Sequence, residues 1–235
     1  MLIYGKNSAI SIIEGNQKIK KIYLSESFND KNIITLLRKH KFSYETKSIR
    51  KINNLAPGLN QGIIIDVEDY KYYDLETLIE SAKTPSFFVI LDHIEDPHNL
   101  GAIIRTCEAA GVDGVIIPNK RSAQVNSTVM KVSSGALDNI KVCLVSNIVN
   151  TMKKLKEKGF WTVGTKMETK QTYYDLDYKM NICLIIGNEG SGISNLVEKE
   201  CDYMVNIPMV GKINSLNASV ATGIIVFEIL KKSRE

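Results

Sequence analysis

The 235-residue sequence predicts an α/β protein in two parts, a small N-terminal α/β domain and a larger C-terminal domain built on a parallel sheet. Three observations carry this expectation. From residue 85 onward, the apolar runs FFVILDHI, GVIIP, KVCLV, WTVGTK, NICLIIG and YMVNIP alternate with helical segments, as in a parallel sheet covered on both faces. Residues 2 to 68 alternate between shorter elements. Between the two, the stretch DYKYYDLETLIE turns acidic and tyrosine-rich before Pro85 opens the strongest strand, which sets domains at 1–68 and 85–235 and a linker at 69–84.

The N-terminal elements follow from periodicity and punctuation. A helix is expected from Ser8 to Glu14, stopped by Gly15, then a strand IKKIYL, a helix DKNIITLLRKH, and a strand GIIIDV after Pro57 and Gly58. Residues 1 to 60 hold eleven Lys and Arg against four acids, a balance of +7, whereas residues 61 to 235 carry −3. That asymmetry points to a polyanion partner for the N-terminal end, or to a solvated lysine-rich surface. Tyr4, Tyr23, Phe28, Phe42 and Tyr44 lie among the lysines, some placed to stack on bases and at least three expected in the core.

Composition excludes several classes. An apolar share of 44% is that of a globular chain rather than a disordered one. No apolar run approaches the ~20 residues of a membrane span, and MLIYGKNSAI lacks a signal-peptide or transit pattern, so a cytoplasmic location is expected. Cys107, Cys143, Cys183 and Cys201 lie at least 18 residues apart; no CxxC pair can hold zinc, and they read as small packing residues in a reducing compartment.

In the first informative stretch, DHIEDPHNLGAIIRTCEAAG, Asp96 is an N-cap and Pro97 the first helical residue, with His98 and Asn99 in the first turn and the helix ending at Gly111. Leu100, Ile103, Ile104, Cys107 and Ala110 form one apolar stripe. Arg105 falls roughly opposite, beside Glu108, where Ala102 and Ala109 leave room for something to pack over it. A metal site would recruit Asp92, His93, Asp96 and His98, but their spacing matches no ligand pattern. Ser-His-Asp chemistry lacks a GxSxG elbow. His93 is expected as strand packing and His98 as a first-turn residue.

Two further stretches carry chemistry. CLIIGNEGSGIS runs a strand into Gly187, Gly190 and Gly192, which lets a ligand approach the backbone or forms a turn with Ser191 or Ser194 capping a helix. Its GxxGxG spacing is not the dinucleotide fingerprint, and Glu189 disfavours a phosphate there but tolerates a nucleoside, particularly a cationic one. In NIPMVGKINSLNASVATGIIVFEILKK, Ser215 or Asn217 can cap a helix; capping explains one of them and not obviously both. From Leu216 to Leu230 that helix is apolar around most of its circumference, so it needs cover on two sides, from within the chain or from a partner seam including Ile225 and Val226.

Together these stretches resemble the SpoU (TrmH) family of RNA ribose 2′-O-methyltransferases, in the SPOUT superfamily. DPHNLGAIIRTCEAAG, IIGNEGSGIS and IPMVGKINSLNASVATG look like its three motifs in order, over residues 87 to 232. KRSAQVNSTVMKVSSGAL is similar to the bacterial branch that methylates a guanosine of 23S ribosomal RNA, and YGKNSAISIIEG to that branch's substrate-binding domain. The resemblance implies a deep trefoil knot, S-adenosylmethionine as cofactor, an RNA partner, a homodimer through the C-terminal domain, and no metal. It implies cofactor contacts from Thr165, Gly187, Asn188, Gly190, Ile207, Met209 and Leu216. It implies Arg105 as the catalytic arginine, with Asn99, Glu189, Ser215 and Asn217 orienting it or the substrate. The alternatives are a transfer-RNA methylase of the same family and a non-catalytic RNA-binding protein with this fold.

Overall fold

In the computed structural model, which describes residues 1–15, 17–213 and 215–234, the chain divides into two units, Met1–Lys71 and Tyr72–Glu235. The first contains β1 (Leu2–Tyr4), α1 (Lys6–Glu14), β2 (Ile19–Ser25), α2 (Lys31–Lys39), β3 (Glu45–Lys47), α3 (Ile49–Leu55) and β4 (Ile63–Val67). Its sheet runs β1-β4-β2-β3, with only the β2–β3 pair parallel. Alternation along β4 sends Ile63 and Ile65 to one face and Ile64 to the other, where it packs on Ile52 of α3 and on Ala56 just past its end. Asp30 caps α2 by accepting from the Ile33 amide at 3.2 Å.

The second unit contains α4 (Leu75–Glu80), β5 (Phe87–Asp92), α5 (Pro97–Ala109), β6 (Gly114–Pro118), α6 (Ser127–Ser133), β7 (Lys141–Val145), α7 (Ile148–Glu157), β8 (Trp161–Thr165), β9 (Ile182–Gly187), α8 (Asn195–Glu200), β10 (Tyr203–Val205) and α9 (Ala218–Arg234). All six strands are parallel, in the order β10-β8-β9-β5-β6-β7. Phe88, Ile90, Ile116, Cys143, Cys183 and Ile185 meet Met152, Leu155 and Val197 on one face. Val89, Leu91, Val115 and Leu184, buried on the other, alternate with them. Burial on both faces is why these strands read as continuous apolar runs.

The segment expected as linker, 69–84, carries a helix instead. Asp74 caps α4 by accepting from the Thr77 amide at 2.7 Å, and Leu75 and Leu78 join the second unit's core. Leu78 occupies the space a side chain at Gly114 would need, 2.4 Å from a Cβ built there. Two leucines in an acidic background, with Ile79 and Ala82 packed beside them, supply this packing.

On α5, Leu100, Ile103, Ile104, Cys107 and Ala110 are buried as expected, and Arg105 is exposed. α6 crosses α5 at Gly101, where a Cβ would stand 2.7 Å from Val132. α9 is less uniform than its sequence suggests. Ile225 and Val226 are 1% and 0% exposed inside their own chain, so they form no partner seam; Val220 and Phe227, at 51% and 48%, form the open flank.

Candidate active site

β5 and β9 are neighbours in register, and both stop at the carboxyl edge of the sheet, Asp92 opposite Gly187. In open parallel sheets ligands bind at this edge, where the loops diverge. The loop after β9 is closed by its own backbone: Asn188 and Gly192 exchange amide-to-carbonyl bonds of 3.0 and 2.9 Å, with Gly192 at φ 67°. The Asn188 carboxamide oxygen accepts from the Gly190 amide at 2.9 Å, and its nitrogen donates to the His93 carbonyl at 2.9 Å. Gly187 therefore has a different reason from the one its sequence context suggests. A Cβ there would lie 2.2 Å from the Gly192 carbonyl carbon, so the glycine admits the chain's own loop. At Gly190 the same construction meets only the Asn188 side chain at 3.5 Å, leaving that backbone open to an approaching molecule.

Three distant segments meet beside this loop. Asn217 donates from Nδ2 to Asn99 Oδ1 at 3.0 Å, and Asn99 donates from Nδ2 to the Glu189 carboxylate. Asn217 also caps α9, its oxygen accepting from the Ser219 amide at 2.9 Å. Capping and site-building thus fall on one residue, and Ser215 lies exposed in the loop before it. Arg105 is not part of this chain of bonds. It sits six residues past Asn99 on α5, about 9 Å along the axis, and among the described residues its guanidinium donates only to Ser134 Oγ, at 3.4 Å.

Next to β9, Thr165 ends β8 with its hydroxyl donating to the Ile185 carbonyl at 3.2 Å. The loop from Asn206 to Asn217 holds Ile207 and Leu216 half-buried, and Met209, Val210 and Ile213 out in solvent at 40%, 108% and 71%. At its root, Asn206 donates to the Thr169 carbonyl at 3.0 Å while its Oδ1 is buried with no partner among the described residues. Bare apolar side chains on this loop suit a flat, largely apolar ligand.

The sequence offers Asp92 and His93 together only as members of a rejected metal site, and does not anticipate their contact with each other. His93 is not strand packing: it adopts φ 61°, and its Nδ1 lies 2.5 Å from the fully buried Asp92 carboxylate. The other Asp92 oxygen accepts from the Ser194 amide at 2.7 Å; this bond serves the start of α8, where the Ser194 side chain makes no capping bond. The local sequence shows His93 beside Asp92 but not the second partner of the carboxylate, Ser194, which lies 102 residues away. Among the described residues no three His, Cys, Asp or Glu side chains converge as a metal site. Burial pushes the Cys143 and Cys201 thiols up to about 12, so they remain protonated packing groups.

A cavity of about 280 Å³ lies at the opposite end of β5, lined by Phe87, Ala110, Tyr178 and Ile229. Its polar groups serve the chain itself: the Asp113 carboxylate accepts from the Phe87 amide and Ser86 donates to the Lys83 carbonyl. The carboxyl edge, with its unspent polar groups, is the better candidate.

The SpoU rRNA Methylase family model matches residues 86–227, and a model for RNA 2′-O ribose methyltransferase substrate binding matches residues 2–73. A Bacillus subtilis (strain 168) protein named for the TrmH family of tRNA/rRNA methyltransferases is 36% identical over 236 residues, covering 98% of this chain and 95% of its own. In structure the chain is similar to the SpoU methyltransferase AviRb from Streptomyces viridochromogenes in complex with AdoMet, with TM-score 0.80, 25% identity, and 99% and 90% of the two chains covered. It is also similar to the A. aeolicus TrmH/SpoU tRNA modifying enzyme, with TM-score 0.59, 29% identity, and 68% and 82% covered.

Proposed function

The chain belongs to the SpoU family of RNA methyltransferases, and on that premise we propose that it methylates a ribose 2′-hydroxyl, that of a guanosine in 23S ribosomal RNA, using S-adenosylmethionine. The observation that carries this reading is the hydrogen-bonded run Asn217–Asn99–Glu189, drawn from three segments up to 118 residues apart and set at the carboxyl edge of the sheet. The match of residues 2–73 to a 2′-O ribose substrate-binding domain supports the ribose target and the RNA partner.

S-adenosylmethionine supplies a methyl group already activated on a sulfonium sulfur. The chain's residues fit this group: Met209, Ile207 and Leu216 would offer apolar surface to an adenosine, Thr165 and Asn188 would stand at the ends of the neighbouring strands, and Gly190 leaves its backbone open to close approach. Glu189 adds negative charge that favours a cation over a phosphate. Alignment of the ribose oxygen is then the main task of the protein. Arg105 is a fixed cation that stabilises the developing alkoxide, with Asn99, Glu189, Ser215 and Asn217 orienting substrate around it. Arg105 stands apart from the other four in one chain; a homodimer built on the C-terminal unit belongs to the same reading. So does a deep trefoil knot, supported by a strand order that sets the late strand β9 between β5 and β8.

Transfer of a tritiated methyl group to ribosomal RNA, followed by digestion to nucleosides, tests the reading; 2′-O-methylguanosine is the expected product. Arg105→Ala should lower transfer by roughly 10²- to 10³-fold and leave the melting temperature unchanged, because an exposed side chain with one long bond contributes little packing. A base-methylated product, or wild-type turnover by Arg105→Ala, contradicts it.

A further inference from the structure

The segment KRSAQVNSTVMKVSSGAL serves no role in the site so far, yet it wraps α5. Its far end holds Arg105 through Ser134, and its middle, α6, packs on Gly101. Its near end is the loop joining β6 to α6, at the same carboxyl edge as the site and beside the turn that starts α5. That loop is fixed from within. Ser122 Oγ and the Ala123 amide both donate to the Ile94 carbonyl, at 3.1 and 2.8 Å, Gln124 donates to the Pro118 carbonyl at 3.1 Å, and the Asn119 amide donates to the Val145 carbonyl at 2.8 Å.

Within so constrained a loop Arg121 adopts φ 52°, a left-handed conformation that a glycine would hold without strain. Such outliers persist where the surroundings over-determine them, and they gather at functional sites. In the second unit the non-glycine residues at positive φ are His93, Arg121 and Ser134, and all three border α5. Lys120 and Arg121 are exposed, and among the described residues neither has an ion-pair partner. On the neighbouring turn Glu95 and Asp96 are both exposed; Asp96 caps α5 by accepting from the His98 amide, and neither carboxylate pairs with Lys120 or Arg121 among the described residues.

We propose that Lys120 and Arg121 form a phosphate-binding element of the methyltransferase unit, holding the RNA backbone that flanks the nucleotide presented to the Asn99–Glu189 site. The proposal rests on the RNA-methyltransferase reading and adds an RNA-binding surface outside residues 1–71. Phosphate is the ligand because the element offers charge without a base-reading partner, and a rigid loop fixes its distance from the site.

The test is binding of a fluorescein-labelled RNA hairpin to the full-length protein, followed by anisotropy across a potassium chloride series. Removing one cation that neutralises a phosphate should lower the slope of log K against log salt by about 1. Lys120→Ala with Arg121→Gly should therefore take about 2 from the slope, while binding S-adenosylmethionine as the wild type does; the glycine relieves the left-handed strain and protects the fold. Arg121→Lys should retain the slope. Lys120→Ala alone, which leaves the backbone of residue 121 untouched, should take away about 1 and decides the matter if the double variant does not fold. An unchanged slope in folded variants overturns the proposal even if methylation proceeds. A reduced slope in a protein that transfers no methyl group supports the phosphate element and refutes the enzymatic reading.

Discussion

Gly187 and Gly190 lie three residues apart in one loop and answer to different neighbours. At Gly187 the obstacle to a side chain is backbone, the Gly192 carbonyl carbon at 2.2 Å, which cannot turn aside as a side chain can. Gly187→Ala should destabilise the protein by about 1–3 kcal/mol, visible as a lower melting temperature, with cofactor binding lost as a consequence. Gly190→Ala meets a carboxamide oxygen at ordinary van der Waals distance. It should melt like the wild type and bind S-adenosylmethionine more weakly, as measured by calorimetry; unchanged affinity would return Gly190 to a simple turn. A glycine-rich strand end was legible in the sequence. Which glycine faces the chain and which faces outward was not, because the loop's curvature depends on Asn188 reaching back to His93, 95 residues earlier.

Elements were legible in proportion to how much of their length is buried. β5, β6 and β9 of the second unit stand out because both faces carry buried apolar side chains. β1 and β3 have three residues each, too few to display a period, and α3 buries little beyond Ile52. The acidic composition of 69–84 masked α4 in the same way. α9 shows the opposite difficulty: its sequence reads as apolar nearly all round, and only the fold separates Ile225 and Val226, inside, from Val220 and Phe227, outside. Phe227→Asp should leave the chain folded and move it from a mass near twice 26.3 kDa towards monomer in light scattering. Ile225→Asp should unfold it, since a charge buried without a partner costs several kcal/mol. A Phe227→Asp protein that keeps the larger mass places the dimer interface elsewhere, and a wild-type monomer removes it.

Across the whole molecule, charge and chemistry are divided between the units. Residues 1 to 60 carry +7, and only Lys6, Lys21 and Lys47 of their cationic side chains are paired with acids among the described residues. Deleting residues 1–71 should weaken RNA binding and flatten its salt dependence while sparing cofactor binding, since the residues proposed to hold S-adenosylmethionine all lie in the second unit. A truncated protein with unchanged apparent affinity for RNA would contradict this division. The strand order of the second unit also governs how the chain is made. β5, at Phe87–Asp92, pairs along its whole length with β9, at Ile182–Gly187, roughly ninety residues later. At ribosomal rates of about 5–20 residues per second the apolar edge of β5 waits on the order of ten seconds for that partner. The first unit, whose strands all lie before Glu68, completes its sheet before that interval begins. Nascent chains of this protein therefore pass through a stage with one finished sheet and one sticky edge, the stage at which chaperone demand and losses to aggregation concentrate.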